Sequence, residues 1–356
     1  MPVTLGRILS RRPRDREQGE EWIGKSSLPA TTLSMGTREG EWSPETVPLP
    51  PVADQGLAVV LKECLVARCD DQWGAGAAAY WEVSACQEDS ELVPGIGVHV
   101  DPHPPCLLCG PCVSGNHLHC IQSARRDRGP GWIARDMVLS AWSANRGLLE
   151  VPASASGLSR LFGYPLARAR HALAGVQKGG FGNVAVLGAD LPGLLAGLVL
   201  ERTVPGSTRC LVDSCQARLE AAERWGYHAA VRSVADIGSR GAGAPDLVVV
   251  ATDRADALGE ALEICATGGT ILLATAGSDD GPRDKVDWRE VWRRELTIRS
   301  GRGLSPDDLR TAMSWLPDLR TRLESVPVVR IPFEEASRAR GLFASDPHLA
   351  GVVLVA

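Results

Sequence analysis

Cys106, Cys109, Cys112 and Cys120 stand in the run Cys-Leu-Leu-Cys-Gly-Pro-Cys-Val-Ser-Gly-Asn-His-Leu-His-Cys. Spacings of three, three and eight let four thiolates surround one tetrahedral ion at about 2.3 Å per Zn–S bond. Four sulfurs leave no open coordination position, so such a zinc, one per chain, holds a loop together and performs no chemistry. The alternative is four free or disulfide-paired thiols. The chain begins without the apolar segment of a secretory signal and soon reaches Arg11-Arg12-Pro13-Arg14-Asp15-Arg16. A cytoplasmic location is therefore expected, where thiols stay reduced and a dense cysteine cluster more often binds metal. His117 and His119 lie inside the same run and are expected to face solvent, because the sulfurs already complete the coordination.

A second segment with chemical content is Val184-Ala-Val-Leu-Gly188-Ala189-Asp190-Leu191-Pro192-Gly193. It joins an apolar strand to a helix, where a Gly-x-Gly-x-x-Gly loop binds the pyrophosphate of a dinucleotide. Gly188 suits the tight turn, Gly193 suits close packing of helix on strand, and the helix start offers free N–H groups to phosphate. Asp213 follows twenty residues after Gly193, where a carboxylate accepts from both ribose hydroxyls and favours NAD over NADP. The middle glycine is replaced by Asp190. A carboxylate there adds bulk and a like charge costing on the order of a few kcal/mol, unless the loop turns it to solvent. A doubly wound domain that binds no nucleotide tightly is the alternative.

These segments sit in two different rhythms. Residues 1–28 are charged and lack apolar periodicity, so they read as a mobile extension. Short β-like runs follow, such as Leu57-Ala-Val-Val-Leu-Lys-Glu-Cys-Leu-Val, with Pro-rich connections. From about Leu158 the pattern changes to helices at 165–178, 192–201, 216–225 and 255–266 between the strands 183–187, 209–213, 246–251 and 270–275. That alternation of near-continuous apolar strands with helices means βαβ crossovers and a parallel sheet covered on both faces. The tail carries helices at 306–316 and near 333–344, then the strand Gly351-Val-Val-Leu-Val. It does not extend the alternation and is expected to return to the first domain. The expected organisation is an extension at 1–28, a β-rich domain at 29–158 and 302–356 with the cysteine lobe at 103–121, and a doubly wound α/β domain at 159–301.

Composition excludes other classes. The net charge of −5 over 356 residues offers no basic footprint to nucleic acid, and a zinc ribbon would leave the long α/β alternation unexplained. No run of eighteen apolar residues suggests a membrane span. Ten of the seventeen aromatic residues are Trp, and most are expected in the core.

Taken together, the chain over about residues 29–356 resembles the medium-chain dehydrogenases, in particular the zinc-containing alcohol, polyol and threonine dehydrogenase branch. The resemblance rests on the cysteine spacing, on the order of the segments, and on local matches. These are Gly131-Trp-Ile-Ala-Arg, Pro165-Leu-Ala, Asp246-Leu-Val-Val-Val-Ala-Thr, Gly268-Gly-Thr-Ile-Leu-Leu and Arg294-Glu-Leu-Thr-Ile-Arg. It implies a Rossmann domain wrapped by a β-rich, GroES-like catalytic domain with the active site between them. It also implies a homodimer or homotetramer, with the strand near Leu296–Gly301 as pairing edge.

The resemblance further implies a catalytic zinc with three ligands, and here the chain departs from its pattern. The first ligand position matches Cys69, in Cys69-Asp70-Asp71-Gln72. The second falls on Trp81 of Tyr80-Trp81-Glu82 and the third on Tyr164. Tryptophan cannot ligate zinc and tyrosine rarely does, so loss of the catalytic zinc is expected. A hydride transfer would then need side chains for acid–base work: Tyr164 or Tyr80 as phenol, and Asp70, Asp71 or Glu82 as base. Each also has a structural reading as cleft packing, a solvated turn or an ion pair. His171 is read as a packing residue. Two functions stand: an NAD-linked oxidoreductase acting on a small alcohol, polyol or ketone, or a protein of the same fold repurposed for a non-redox step or for binding alone.

Overall fold

Strands rich in Val, Leu and Ile and buried on both faces belong in the middle of parallel sheets, and between Asn183 and Ser300 the computed structural model shows one parallel sheet of six strands with such strands at its centre. The structure describes residues 22–24, 29–38, 41–49, 57–67, 78–87, 92–101, 104–123, 133–176, 180–220, 222–237, 243–275 and 286–356. The first part of the chain supplies β1 (Trp22–Gly24), β2 (Thr31–Arg38), β3 (Glu41–Pro48), β4 (Leu57–Ala67), β5 (Ala79–Gln87), β6 (Gly97–Val100), α1 (Gly110–Val113), β7 (Asp136–Leu139), α2 (Ala141–Gly147), β8 (Leu148–Glu150) and α3 (Gly163–Ala174). The alternating part supplies β9 (Asn183–Leu187), α4 (Leu191–Thr203), β10 (Thr208–Val212), α5 (Gln216–Leu219), β11 (Ala229–Val231), β12 (Leu247–Val250), α6 (Ala257–Ile264), β13 (Thr270–Leu273), α7 (Trp288–Arg293) and β14 (Thr297–Ser300). The tail adds α8 (Pro306–Leu323), β15 (Val328–Pro332), α9 (Ala339–Ser345) and β16 (Gly351–Val355).

The parallel sheet runs β11-β10-β9-β12-β13-β14. The chain leaves β9 in one direction and returns to its other side at β12, so the strand order reverses between them, and ligands of such sheets bind outside that switch point. Alternate residues of β9 face opposite cores. Val184 and Val186 join Leu195, Leu198 and Leu316 on one face, and Ala185 and Leu187 join Val248 and Ile271 on the other.

The second sheet runs β15-β16-β4-β5-β6-β8, with β1 against β5 and β7 against β4. The tail closes it: β16 pairs antiparallel with β4, Val353 opposite Leu65. A register shift between Leu61 and Glu63 changes which residues of β4 face inward. Leu57, Val59 and Leu61 precede it on the inner face, Cys64 and Val66 follow it there, and Leu65 turns to the core shared with the parallel sheet. The same bulge directs Glu63 to Arg160 and Arg330.

Asp308 links the tail to the α/β part. Its carboxylate receives the Ser305 N–H in a capping box at the start of α8 and also pairs with Arg170 and His171 of α3. Burial pushes its pKa up, but the His171 and Ser305 hydrogen bonds outweigh that and hold it below the usual carboxylate range. Removing one partner of such a buried pair costs about 3–5 kcal/mol.

Two expectations change. Trp22–Gly24, placed by sequence in the mobile extension, forms a strand paired with Ala85–Gln87; the rest of residues 1–28 lies outside the described residues. The helix expected to stop before Pro317 runs on to Leu323. Proline removes one helical hydrogen bond, yet Leu309, Met313, Leu316, Leu319 and Leu323 form one buried stripe along α8, mostly at steps of three and four, and that burial outweighs the loss. Of the tryptophans, Trp81 and Trp225 are fully buried as expected, while Trp288 and Trp292 are exposed.

His99 on β6 has no exposed surface, and its Nε2–H donates to the Arg160 carbonyl at 2.8 Å. Burial lowers its pKa from 6.5 to about 4, against the raising effect of the Arg160 and Ala79 carbonyls. Below pH 6.5 the unfolded chain gains a proton that the folded chain refuses until about pH 4, so stability is intact above 6.5 and falls between the two values. The wild type should lose roughly 3 kcal/mol more than His99→Phe over that window, measured by denaturant unfolding at a series of pH values.

Candidate functional site

The β9–α4 turn is built by two glycines. Gly188 has φ +102°, the left-handed region that side chains avoid. A Cβ at Gly193 would collide with the Gly188 carbonyl oxygen, so α4 can sit this close to β9 only with hydrogen at that position. Tyr227, buried, donates its hydroxyl to the Gly193 carbonyl at 2.5 Å and holds the helix in place. Leu191 and Pro192 begin the helix. Pro192 brings no N–H of its own, and the first helical hydrogen bond runs from Leu194 to Asp190.

Asp190 occupies the N-cap position of α4 and makes no cap hydrogen bond with its side chain, although aspartate is among the best caps. Its carboxylate is drawn aside by Arg218 of α5, Nη1 to Oδ1 at 2.7 Å. Asp190 does not turn to solvent, the escape that the sequence left open: the residue is 7% exposed. Asp213 lies just past β10. Its Oδ2 accepts the Ala189 N–H and its Oδ1 the Cys215 N–H, both at 2.8 Å. Arg218 Nη2 stands 3.5 Å from Asp213 Oδ1, so one guanidinium faces both acids. Burial works against the arginine's charge, and Asp190 and Asp213 outweigh it, raising the Arg218 pKa. Across the switch point, Thr252 after β12 is buried against Gly188, and its carbonyl accepts the Thr275 hydroxyl at 2.7 Å. The turn, an uncapped helix start and a ribose-height carboxylate thus share one crevice, which suits the diphosphate and ribose of a dinucleotide.

The residues expected to do acid–base work are less well gathered. Cys69, Asp70 and Asp71 lie outside the described residues. Trp81 is 1% exposed, opposite Val98 of β6, in the inner core of the second sheet. Glu82 points the other way along β5 and pairs with Lys62 at 3.3 Å. No hydrogen bond or ion pair among the described residues joins it to Tyr164, so the expected base at Glu82 is an ion-paired strand residue. Tyr80 lies under Arg160, whose guanidinium is 4.2 Å from the ring centroid. Tyr164, at the start of α3, is buried in the core shared by both sheets. Burial raises its pKa, and Asp101 raises it further against Arg168 and Arg302. The phenol therefore stays protonated, a hydrogen-bond donor and a poor base. His171 pairs with Asp308 Oδ2 at 2.7 Å.

The four lobe cysteines converge, with their Sγ atoms all within 4.8 Å of one another. Cys106–Cys112 and Cys109–Cys120 are each 3.9 Å apart, close to the edge of about 3.8 Å that a tetrahedron with 2.3 Å bonds requires. The Cys106 N–H points to Cys120 Sγ at 3.2 Å and the Cys109 N–H to Cys106 Sγ at 3.3 Å, which favours thiolates. Burial, then the neighbouring Cys109 sulfur, pushes the Cys112 thiol up to about 12, a cost that a cation at the centre removes. His119 is exposed and His117 half-buried. The donor set fits one structural zinc.

Solved structures share this arrangement. An alcohol dehydrogenase of E. coli CFT073 in complex with NADH is 20% identical, with a TM-score of 0.75, over 92% of this chain and 100% of that one. Galactitol-1-phosphate dehydrogenase of Escherichia coli gives 19% and 0.74 over 91% and 100%. The alcohol dehydrogenase TADH of Thermus sp. ATN1 gives 23% and 0.74 over 91% and 99%. The chain has the fold of these alcohol and polyol dehydrogenase structures. No protein-family profile and no curated protein matches the sequence. Of the residues expected from sequence, the fold brings Gly188, Asp190, Leu191, Pro192, Gly193 and Asp213 together and leaves Glu82 apart. It also adds Arg218, Thr252 and Asp101. Arg218 was legible as a basic residue five positions after Asp213; Thr252 and Asp101 carried no signal.

Gly193→Ala should cost roughly 1–3 kcal/mol through overpacking, seen as a fall in the thermal midpoint. An unchanged midpoint would mean that α4 does not rest on Gly188.

Proposed function

We propose that this chain is an NAD-linked, alcohol dehydrogenase-like oxidoreductase acting on a small alcohol, polyol or ketone, with zinc confined to the lobe. The observation that carries the reading is the crevice at the end of β9: Gly188 and Gly193 frame a helix start that Asp190 leaves uncapped, and Asp213 stands beside it. NAD, when bound, supplies a hydride acceptor at its nicotinamide. The chain's part is to hold it: the α4 N-terminus toward the diphosphate, Asp213 toward the ribose hydroxyls, and Arg218 neutralising the Asp190 charge that the diphosphate would otherwise meet.

On the substrate side, the protonated Tyr164 donates to the substrate oxygen; Cys69 and Asp71 are further catalytic candidates by the sequence resemblance alone. Two of the three positions that the resemblance gives to a catalytic metal's ligands hold aromatics, Trp81 and Tyr164, so polarisation of the carbonyl falls to hydrogen bonding. The edge strand β14 lies beside the exposed Trp288 and Trp292, and we assign that edge to pairing with a second copy, as homodimer or homotetramer. No helix among the described residues is long and apolar enough to cross a membrane, and the reduced lobe cysteines belong to a cytoplasmic protein.

A second reading is favoured by the packing of Trp81 and Tyr164 into the two cores: a binding protein of the same fold that has ceased redox turnover. Titration with NADH by fluorescence or calorimetry, followed by turnover on a panel of alcohols and ketones, separates the two. The oxidoreductase reading expects saturable binding, and a Tyr164→Phe variant with unchanged NADH affinity and a kcat reduced about 10²–10⁴-fold. Binding without turnover supports the second reading, and no binding at millimolar NADH sinks the first.

A further inference from the structure

The nucleotide crevice contains more charge than its fold requires. Asp190, Arg218 and Asp213 come from three elements: the end of β9, the helix α5 and the end of β10. They are mutually engaged at 2.7 and 3.5 Å. All three side chains are largely buried, with 9%, 18% and 7% of their surfaces exposed. The Asp213 oxygens already hold the Ala189 and Cys215 N–H groups, so Asp213 is fixed whether or not Arg218 is beside it. Arg218 has no such anchor in the backbone. Its shortest contact is to Asp190, with Asp213 at 3.5 Å and the Cys215 side chain also beside it. The guanidinium is therefore held chiefly by Asp190.

We infer that Asp190 is a cofactor-selectivity residue that acts through Arg218, keeping the guanidinium away from a 2′-phosphate. The inference rests on the NAD reading above. A free arginine beside the ribose pocket is the group that accommodates a 2′-phosphate, because its planar fork matches phosphate oxygens. Bound to Asp190, the same arginine has its charge compensated and its fork turned to a carboxylate. The cluster then carries two negative charges and one positive. A 2′-phosphate, adding about −1.5 to −2, meets Asp213 without a cation to receive it. Asp190 is thus more than an obstacle to the diphosphate: removing it both lowers the negative charge and frees Arg218.

An obstacle and a tether make different predictions. NADH and NADPH are titrated by calorimetry against wild type, Asp190→Gly, Asp190→Asn and the double variant Asp190→Gly/Arg218→Gln. If Asp190 tethers Arg218, Asp190→Gly gains affinity for both dinucleotides but roughly tenfold more for NADPH, the size expected of one freed charge-assisted contact. Asp190→Asn, which keeps the bulk and removes the charge, shifts the ratio in the same direction. The added Arg218→Gln change then removes the NADPH gain and leaves most of the NADH gain. Equal gains for the two dinucleotides, or an NADPH gain that survives loss of Arg218, overturn the inference while leaving the NAD reading intact. Failure of every variant to bind either dinucleotide at millimolar concentration overturns both.

Discussion

The close approach of α4 to β9 is the constraint on which the nucleotide side of the molecule depends. Gly193 rests on the Gly188 carbonyl with no room for a Cβ, so the helix axis, its N-terminus and the switch point between β9 and β12 are set by one backbone contact. From that contact follow the positions of Asp190, which begins the helix, and of Asp213 and Arg218, which reach the same crevice from β10 and α5. Every residue of the helix from Leu191 to Leu200 is buried, and the charged cluster at its start is largely desolvated. Charges placed there interact in a partly dry environment, where a guanidinium between two carboxylates matters more than it would on the surface.

The two metal positions that the resemblance implies differ in what they contribute to the fold. A four-sulfur site is coordinated wholly by the segment it organises, and without a cation it leaves thiols crowded at 3.9 Å. Losing the metal would unfold a lobe that has little apolar core of its own, since Leu108, Val113 and Ile121 face outward. An open catalytic site has no such hold on the fold. The positions that the resemblance gives to its ligands can be filled by large side chains that pack, as Trp81 and Tyr164 are buried in the two cores. A metal retained for structure and positions lost to packing are therefore compatible in one chain.

Much of this was legible in the sequence. The alternation of apolar strands and helices foretold the parallel sheet, and the cysteine spacing foretold a convergent cluster, because both follow from local periodicity. What escaped was set by contacts distant in sequence. Asp190 reads as a bare charge in a phosphate loop until Arg218, twenty-eight residues on, is seen to hold it. Glu82 reads as a base until Lys62 on the neighbouring strand claims it. Pro317 reads as a helix stop, but the buried stripe of α8 carries the helix past it. The third strand partner of β5, Trp22–Gly24, was hidden in a charged segment with no periodicity of its own.

The central claim is that one zinc serves the lobe and no metal serves the cleft. Zinc per chain, measured by mass spectrometry on purified protein after dialysis, tests it most directly in wild type and in Cys112→Ser. The account predicts one zinc in the wild type and its loss in the variant. Two zincs per chain, or a single zinc that survives Cys112→Ser, would contradict it.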